Sequence, residues 1–141
     1  MTKWAERYMT LRFLDGGRDF PAVDCWGLVR LVLAREAGIE VPSYGDVPAT
    51  ALSRIARAMT RGSELPPWQR FDGAVRVFDV AMMTANPGAM VDRRACVHAG
   101  IVVSPGRLMH IEDGQGVHHV PFDHVTVRRR LLGFRRHEAL A

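Results

Sequence analysis

Cys25 and two histidines, His98 and His110, are the side chains of this sequence that could perform nucleophilic chemistry. A thiol nucleophile needs a base within reach and donors for the oxyanion. Cys25 follows Asp24, a good N-cap, so it is predicted to lie on the first turn of a helix, where the helix dipole favours the thiolate. Gly27 would let a substrate backbone approach that turn. A cysteine at a helix start is also commonly a small buried hydrophobic residue.

The two histidines fall on consecutive strand-like segments. His98 opens the apolar run 98–103 (HAGIVV), and His110 follows twelve positions later. Beside a thiol, His98 would act as the base, and His110 would orient its imidazole. On an apolar strand either residue could instead be a buried core histidine. Cys96 is interpreted as structural, and a bridge to Cys25 is not expected in a reducing compartment.

The sequence gives little support for a metal site. His118 and His119 are adjacent, so on a strand they point to opposite faces and cannot easily share one ion. His124 has no evident partner. A zinc site has no recognised ligand spacing here; it would have to use four scattered residues, Cys25, Cys96, His98 and His110.

The elements that would position these residues follow from apolar spacing and from Gly and Pro breaks. A helix is predicted over 25–37, between the N-cap Asp24 and the stop Gly38, with few polar positions and therefore buried on most sides. Apolar spacing predicts further helices over 4–14 and 49–61, with a loop over 39–48 and a break at Pro66-Pro67.

The second half reads as a meander of short β-rich segments, 74–78, 80–83, 97–103, 108–111, 117–120, 125–127 and 131–134. Pro105-Gly106 predicts a hairpin between two of them. Helices followed by strands indicate an α+β fold, with N-terminal helices packed on an antiparallel sheet.

Length and composition set the outer limits. A chain of 141 residues with 48% hydrophobic and 24% charged residues predicts a single domain over 1–141. No run approaches the roughly 20 apolar residues of a membrane span, and the first residues lack the apolar region of a secretory signal. The net charge of +4 draws on arginines near the end, which form either a solvated face or a surface for anionic partners.

The motifs together resemble the NlpC family of papain-like cell-wall cysteine peptidases. Residues 24–29 (DCWGLV) match the family's helix start, residues 98–101 (HAGI) match its histidine strand, and a polar residue follows twelve positions later. Residues 78–82 (FDVAM) resemble the strand before that histidine. The resemblance covers about residues 4–137. It implies Cys25 as nucleophile, His98 as base and His110 as the orienting residue, with no cofactor and no metal.

Two details narrow the resemblance. Trp26 after the cysteine, together with residues 16–19 (GGRD), is similar to the branch carried by tailed phages and gene transfer agents. That branch implies a chain made in the bacterial cytoplasm and carried in a particle tail, with tail-tip, hub or baseplate proteins as partners. The implied substrate is peptidoglycan, cleaved at a γ-D-glutamyl–diamino acid bond in the stem peptide.

One position departs from the family. Phe13 stands where relatives often carry a tyrosine whose hydroxyl points into the site, and losing an oxyanion donor can cost about 10²–10³ in kcat. Trp26, in place of a small residue, narrows the space beside the thiol. A structural tail-tip component with weak or no catalysis is therefore the main alternative.

Two other classes of function fit less well. Lipid acyltransferases of related fold usually place histidine before cysteine, whereas Cys25 precedes His98 here. Binding of nucleic acid, suggested only by the terminal arginines, is not expected.

Overall fold

The structure is a computed structural model that describes residues 2–44, 52–85 and 95–141. Its helices are α1 (Lys3–Glu6), α2 (Cys25–Ala37) and α3 (Leu52–Ser63), followed near the end by a 3-10 turn (Glu138–Leu140). A small sheet contains β1 (Arg12–Phe13), β2 (Arg18–Asp19) and β3 (Ala22–Val23). A larger sheet contains β4 (Trp68–Gln69), β5 (Val80–Met83), β6 (His98–Ser104), β7 (Arg107–Ile111), β8 (Val117–Pro121) and β9 (Leu131–His137).

The larger sheet is antiparallel and has the order β4-β9-β5-β6-β7-β8. The hairpin predicted at Pro105-Gly106 joins β6 to β7, and Gly106 has the positive φ of 83° that its turn requires. Helices followed by an antiparallel sheet confirm the predicted α+β class. The last strand, β9, lies inside the sheet, between β4 and β5.

Helix α2 begins and ends where the sequence predicts. The Asp24 side chain accepts a hydrogen bond from the Gly27 N–H, and Gly38 adopts a left-handed conformation with φ 67°. The N–H of Ile39 then bonds the carbonyl of Leu33, which closes the last turn. Both ends of α2 are therefore fixed by local hydrogen bonds, and the first of them positions Cys25.

The core lies on both faces of the larger sheet. One cluster joins α2 to the sheet, and its buried residues include Leu28, Val32, Ala99, Ile101 and Ile111. A smaller cluster covers the opposite face, with Ala81, Met83, Leu108, Val120 and Val127. Because α2 packs directly on β6, the N-terminus of the helix is brought next to the beginning of that strand.

Several predicted elements were wrong or shorter than expected. The helix expected over 4–14 is only α1, because the chain turns after Glu6 and then enters β1. Residues 74–78 do not form a strand, since Phe78 has a φ of 72° and turns the chain into β5. Residues 125–127 lie in turns, with Val125 exposed. The helix predicted over 49–61 is present as α3, which continues two residues past the predicted end. Residues 49–51 of that prediction lie outside the described residues, as do 45–48 of the predicted loop.

The terminal arginines do not form one solvated basic face. Arg136 makes two hydrogen bonds of 2.7 Å to the buried carboxylate of Asp79. Arg135 bonds Glu64 at 2.8 Å, and Arg130 pairs with a carboxylate described below. Only Arg128 and Arg129 of the five are exposed. Much of the positive charge is therefore neutralised inside the fold.

Among the described residues, each helix falls short of the length and apolar character that a membrane crossing requires.

Candidate active site

Asp24 holds the turn that carries the thiol. Its Oδ1 accepts hydrogen bonds from the Gly27 N–H at 2.8 Å and from Arg18 Nη1 at 2.6 Å. Its Oδ2 accepts one from the Gly16 N–H at 2.9 Å. One carboxylate therefore caps α2 and also fixes the loop before it, which explains an acidic residue directly before Cys25.

Gly27 has a different role from the one expected. A Cβ at this position would lie 2.0 Å from the carbonyl oxygen of Gly17 and 3.1 Å from the Val23 side chain. Gly27 also lies outside the cleft that contains Cys25. The prediction that it makes room for a substrate backbone is therefore wrong, because the space it leaves is filled by the loop at Gly17.

The thiol of Cys25 is protonated in the resting state. Burial, with a smaller contribution from the Asp24 carboxylate, raises its pKa to about 12, although backbone hydrogen bonds from Ala99 and Trp26 favour the thiolate. The helix start was expected to favour the thiolate, and desolvation outweighs that effect here. A base must therefore remove the proton during the reaction. The bond from Ala99 places the sulfur beside the residue that follows His98.

His98 and His110 are directly hydrogen-bonded. The distance from His98 Nε2 to His110 Nδ1 is 2.9 Å, and the two rings meet edge to face. His98 is the first residue of β6, His110 lies on β7, and both side chains are buried. Because Nε2 of His98 is occupied, Nδ1 is the ring nitrogen left to accept a proton. The predicted pairing of these histidines is thus present in the geometry.

Both histidines are neutral near pH 7. Burial, together with His110 and Arg130, holds the pKa of His98 well below its ordinary value. Burial likewise lowers the pKa of His110 to about 4, while Glu112 acts in the opposite direction. A neutral imidazole next to a protonated thiol is a competent starting state for general-base catalysis.

Sequence reasoning missed an ion pair beside these rings. Glu112 Oε1 lies 3.7 Å from His98 Nε2, and Arg130 Nη2 contacts the same oxygen at 2.5 Å. Glu112 stands two positions after His110, a spacing that could have suggested proximity. Arg130 belongs to the terminal arginines interpreted as either a solvated face or a surface for anionic partners, and nothing in the sequence indicated its partner within the fold.

The same group contains three possible ligand atoms for a cation. One atom each from His98, His110 and Glu112 lies within 4.8 Å of the others. The Glu112 oxygen that would bind an ion is already held by Arg130. A cation would have to displace this guanidinium, so we interpret these three residues as a group that takes part in proton transfer. The zinc site considered from sequence, with Cys25 and Cys96, is a different set of residues.

The cleft at Cys25 is walled mainly by apolar side chains and has a volume of about 280 Å³. Phe13 of β1 lines it, as do Ile55 and Met59 of α3. Trp26 lines it beside Trp68, with ring centroids 6.2 Å apart, and its Nε1 donates to the Pro42 carbonyl at 2.7 Å. The structure thus brings Phe13 and Trp26 into one cleft with Cys25 and His98.

Cys96 and His118 lie next to this site, whereas His119 lies on the opposite face of its strand. Cys96 is buried, its sulfur is 3.8 Å from the His98 carbonyl oxygen, and burial raises its pKa to about 11. His118 pairs with His110 across β7 and β8, and the two rings lie 5.5 Å apart. His119 pairs with Met109, so it falls on the opposite face from His118, as the sequence indicates.

The described residues form an α+β domain with the papain-like fold of NlpC/P60 proteins. In this chain a cysteine at a helix start shares a cleft with His98, the first residue of β6. No protein-family model matches the chain. No curated protein matches it in sequence.

Solved structures support the fold. A lipoprotein-like protein of the NLP/P60 family from Staphylococcus aureus superposes with a TM-score of 0.62 at 21% identity, covering 94% of this chain and 38% of the other. NlpC2 from Trichomonas vaginalis superposes with a TM-score of 0.63 at 14% identity, covering 96% of this chain and 43% of NlpC2. The NlpC/p60 domain of the peptidoglycan hydrolase SagA superposes with a TM-score of 0.54 at 17% identity, covering 93% of this chain and 90% of the SagA domain. The chain spans less than half of the first two proteins.

Proposed function

We propose that this chain is a cysteine peptidase that hydrolyses amide bonds in the stem peptides of peptidoglycan. The observation that carries the proposal is the shared cleft of Cys25 and His98, with His98 Nε2 bonded to His110 Nδ1 at 2.9 Å. The fold shared with SagA, a peptidoglycan hydrolase, supports the substrate class.

The reaction would proceed through an acyl-thioester. His98 Nδ1 takes the proton of the Cys25 thiol as the sulfur attacks the carbonyl carbon, and the Cys25 backbone N–H helps to bind the oxyanion. When the C–N bond breaks, His98 gives its proton to the leaving amine. Water then attacks the thioester, with His98 again as base, and releases the acid and the thiol. His110 accepts the Nε2–H of His98 and keeps the base in the correct tautomer.

We propose a γ-D-glutamyl–diamino acid bond as the point of cleavage. The support is the resemblance of residues 24–29 and 98–101 to the cell-wall peptidases. The apolar walls at Trp26 and Met59 leave the stem peptide's polar groups to be bound at the rim of the cleft, where Asp113 is exposed.

We further propose that the peptidase acts from the tail tip of a phage or gene transfer agent and helps it to penetrate the cell wall. The support is the similarity of Trp26 and of residues 16–19 to that branch. Mass spectrometry of purified particles from the producing cells would test this assignment. The chain should co-purify with tail proteins, and its absence from intact particles would contradict the proposal.

The activity is tested by digesting purified peptidoglycan with the wild type and with Cys25→Ala, and by identifying fragments by mass spectrometry. We expect new stem-peptide fragments with the wild type only, and their masses identify the bond. Circular dichroism and thermal unfolding establish that both proteins are folded. A folded wild type that releases no fragments would overturn the proposal.

A structural tail-tip or baseplate component with weak or no catalysis is the second candidate. It is favoured by Phe13, which lines the cleft without a hydroxyl, and by the thiol of Cys25, whose pKa of about 12 disfavours attack. In that case the digestion shows no difference between wild type and Cys25→Ala, while both proteins still assemble into particles.

A further inference from the structure

The buried pair of Glu112 and Arg130 adjoins the histidines of the candidate active site. Glu112 Oε1 is 3.7 Å from His98 Nε2 and 2.5 Å from Arg130 Nη2. The side chains of all three residues are at most 10% exposed. At such short range and in a poorly solvated place, each charge acts strongly on the protonation of its neighbours.

Arg130 is fixed by the backbone on two sides. Its Nε donates to the Thr84 carbonyl at 3.1 Å, and its Nη1 donates to the Thr126 carbonyl at 3.2 Å. The guanidinium is therefore a stationary cation that can hold Glu112 in one orientation. Buried ion pairs are seldom retained for stability alone, because their desolvation offsets much of their attraction. A role for this pair in the chemistry accounts for its placement.

We propose that Glu112, held by Arg130, is a positioning residue that stabilises the positive charge developing on the His98–His110 pair when Cys25 loses its proton. This inference rests on the proposed peptidase function. Arg130 holds the carboxylate beside the rings, and the carboxylate offsets the guanidinium charge that would otherwise oppose the imidazolium.

The other groups around the rings cannot replace Glu112. The other titratable groups near the two histidines are Cys25 and Asp24 at the start of α2, Cys96 before β6, His118 of β8 and His124 in the turn after it. Asp24 is the carboxylate among them, and it is bonded to the Gly27 N–H and to Arg18 beside Cys25. Arg130 disfavours protonation of both histidines, and His118 and His124 act in the same direction on His110. Without Glu112, a proton arriving on His98 would meet the unbalanced charge of Arg130.

The test compares Glu112→Gln with the matched control Glu138→Gln, an exposed site in the terminal 3-10 turn. Two readouts are used: kcat and KM on peptidoglycan fragments across pH, and the rate of Cys25 alkylation by iodoacetamide. For Glu112→Gln we expect kcat to fall about 10- to 100-fold with little change in KM. The acid limb of kcat/KM should move down by about one pH unit, because the imidazolium has lost its counter-ion.

Alkylation does not require the peptidase function. We expect it to slow about 10-fold near pH 8 in Glu112→Gln, to be unchanged in Glu138→Gln and to recover in part in Glu112→Asp, which keeps the charge. If the wild type alkylates in this pattern but cleaves no peptidoglycan, the proposed function fails and the positioning role stands. The positioning role would be overturned if Glu112→Gln were alkylated at the wild-type rate and kept the pH profile of the wild type. This includes the case in which KM is the only parameter that rises in Glu112→Gln.

A second variant covers loss of folding. Glu112→Gln leaves Arg130 buried without a counter-ion, which can unfold the protein. Glu112→Gln/Arg130→Met removes both charges and should fold. We expect the pH dependence of alkylation in this double variant to be closer to that of the wild type than to that of Glu112→Gln. Its kcat should nevertheless stay below the wild-type value. A fully active double variant would overturn the proposal.

Discussion

Burial sets the protonation of Cys25, His98 and His110, the side chains of the candidate active site. It raises the pKa of Cys25 to about 12, lowers that of His110 to about 4 and holds that of His98 well below its ordinary value. The nucleophile and its base are therefore both uncharged at rest. The charged intermediate must be formed by movement of one proton, and this makes the groups next to His98 important for rate.

These shifts predict how stability varies with pH. As the pH falls below 6.5, the unfolded chain protonates His110 while the folded protein resists until about pH 4, so stability is lost across that window. Each pH unit costs at most about 1.4 kcal/mol for this residue. The free energy of unfolding, measured with urea between pH 7 and 4, should change less steeply with pH in His110→Asn than in the wild type.

Cys25→Ala is the control for this pH series. The Cys25 thiol ordinarily titrates near 9.0 and keeps its proton to about 12 in the fold, so it contributes a loss of stability only as the pH rises above 9. Its replacement should leave the slope below pH 7 unchanged. An equal change of slope in His110→Asn and Cys25→Ala would contradict the assignment to His110.

Phe13 offers a test at a single atom. It lines the cleft with Cys25, and Phe13→Tyr adds the hydroxyl that related peptidases often carry. A correctly placed donor should raise kcat by up to about 10²-fold, with KM changed less. Peptidoglycan digestion under single-turnover conditions measures this, and Phe13→Leu provides the apolar control. An unchanged kcat in Phe13→Tyr would mean that the new hydroxyl does not reach the oxyanion.

At the scale of the elements, Gly100 sets the approach of β6 to β7. A Cβ there would lie 2.9 Å from the Met109 carbonyl oxygen and 3.4 Å from the Cβ of His110. The glycine two residues after His98 therefore allows His110 to come close to it.

Gly100→Ala should separate the two histidines. We expect a loss of about 1–3 kcal/mol in the free energy of unfolding, from overpacking, and a larger relative loss of activity. Gly116→Ala is the control, because its Cβ would meet only the Leu11 carbonyl oxygen, at 3.9 Å. Equal stability of Gly100→Ala and wild type in urea would show that the strands can absorb the methyl group.

The sequence predicted those elements whose signals are local. Asp24 and Gly38 mark both ends of α2, and Pro105-Gly106 marks the β6–β7 hairpin, because caps and turns depend on the backbone conformation of single residues. The helix expected over 4–14 failed because apolar spacing alone cannot distinguish a helix from a succession of turns that bury the same side chains.

Contacts between distant residues were out of reach. Glu112 and Arg130 stand 18 positions apart on elements whose pairing depends on the strand order, and Asp79 and Arg136 stand 57 apart. Apolar patterns give the faces of strands, yet they do not state which strands are neighbours. Cys25 and His98 share one cleft and His98 is bonded to His110, an arrangement that the family resemblance implied and that local sequence signals could not have given.

At the scale of the whole molecule, the buried pair of Asp79 and Arg136 joins the beginning of β5 to β9. Asp79 is fully buried and receives both hydrogen bonds from one guanidinium, which also lies over the Phe71 ring at 3.9 Å. Arg136→Ala would leave this carboxylate without its counter-ion, although the Arg76 N–H still donates to its Oδ2 at 2.7 Å. We expect it to cost about 3–5 kcal/mol in the free energy of unfolding.

Thermal and urea unfolding measure this effect, with Arg129→Ala as the matched control. Arg129 is exposed, so its loss should change stability by no more than about 0.5 kcal/mol. A similar small effect of both substitutions would mean that Asp79 is solvated or protonated in the folded protein.

The interior position of β9 also bears on how the protein is made. Among the described strands, β4 cannot find its sheet neighbour and β5 can pair with β6 alone until residues 131–137 have left the ribosome, long after both strands have emerged. Until then each has an unpaired edge that can associate with other chains. A nascent chain stalled before Leu131 should therefore depend on chaperones, and a premature stop codon there should yield aggregates instead of a smaller folded protein.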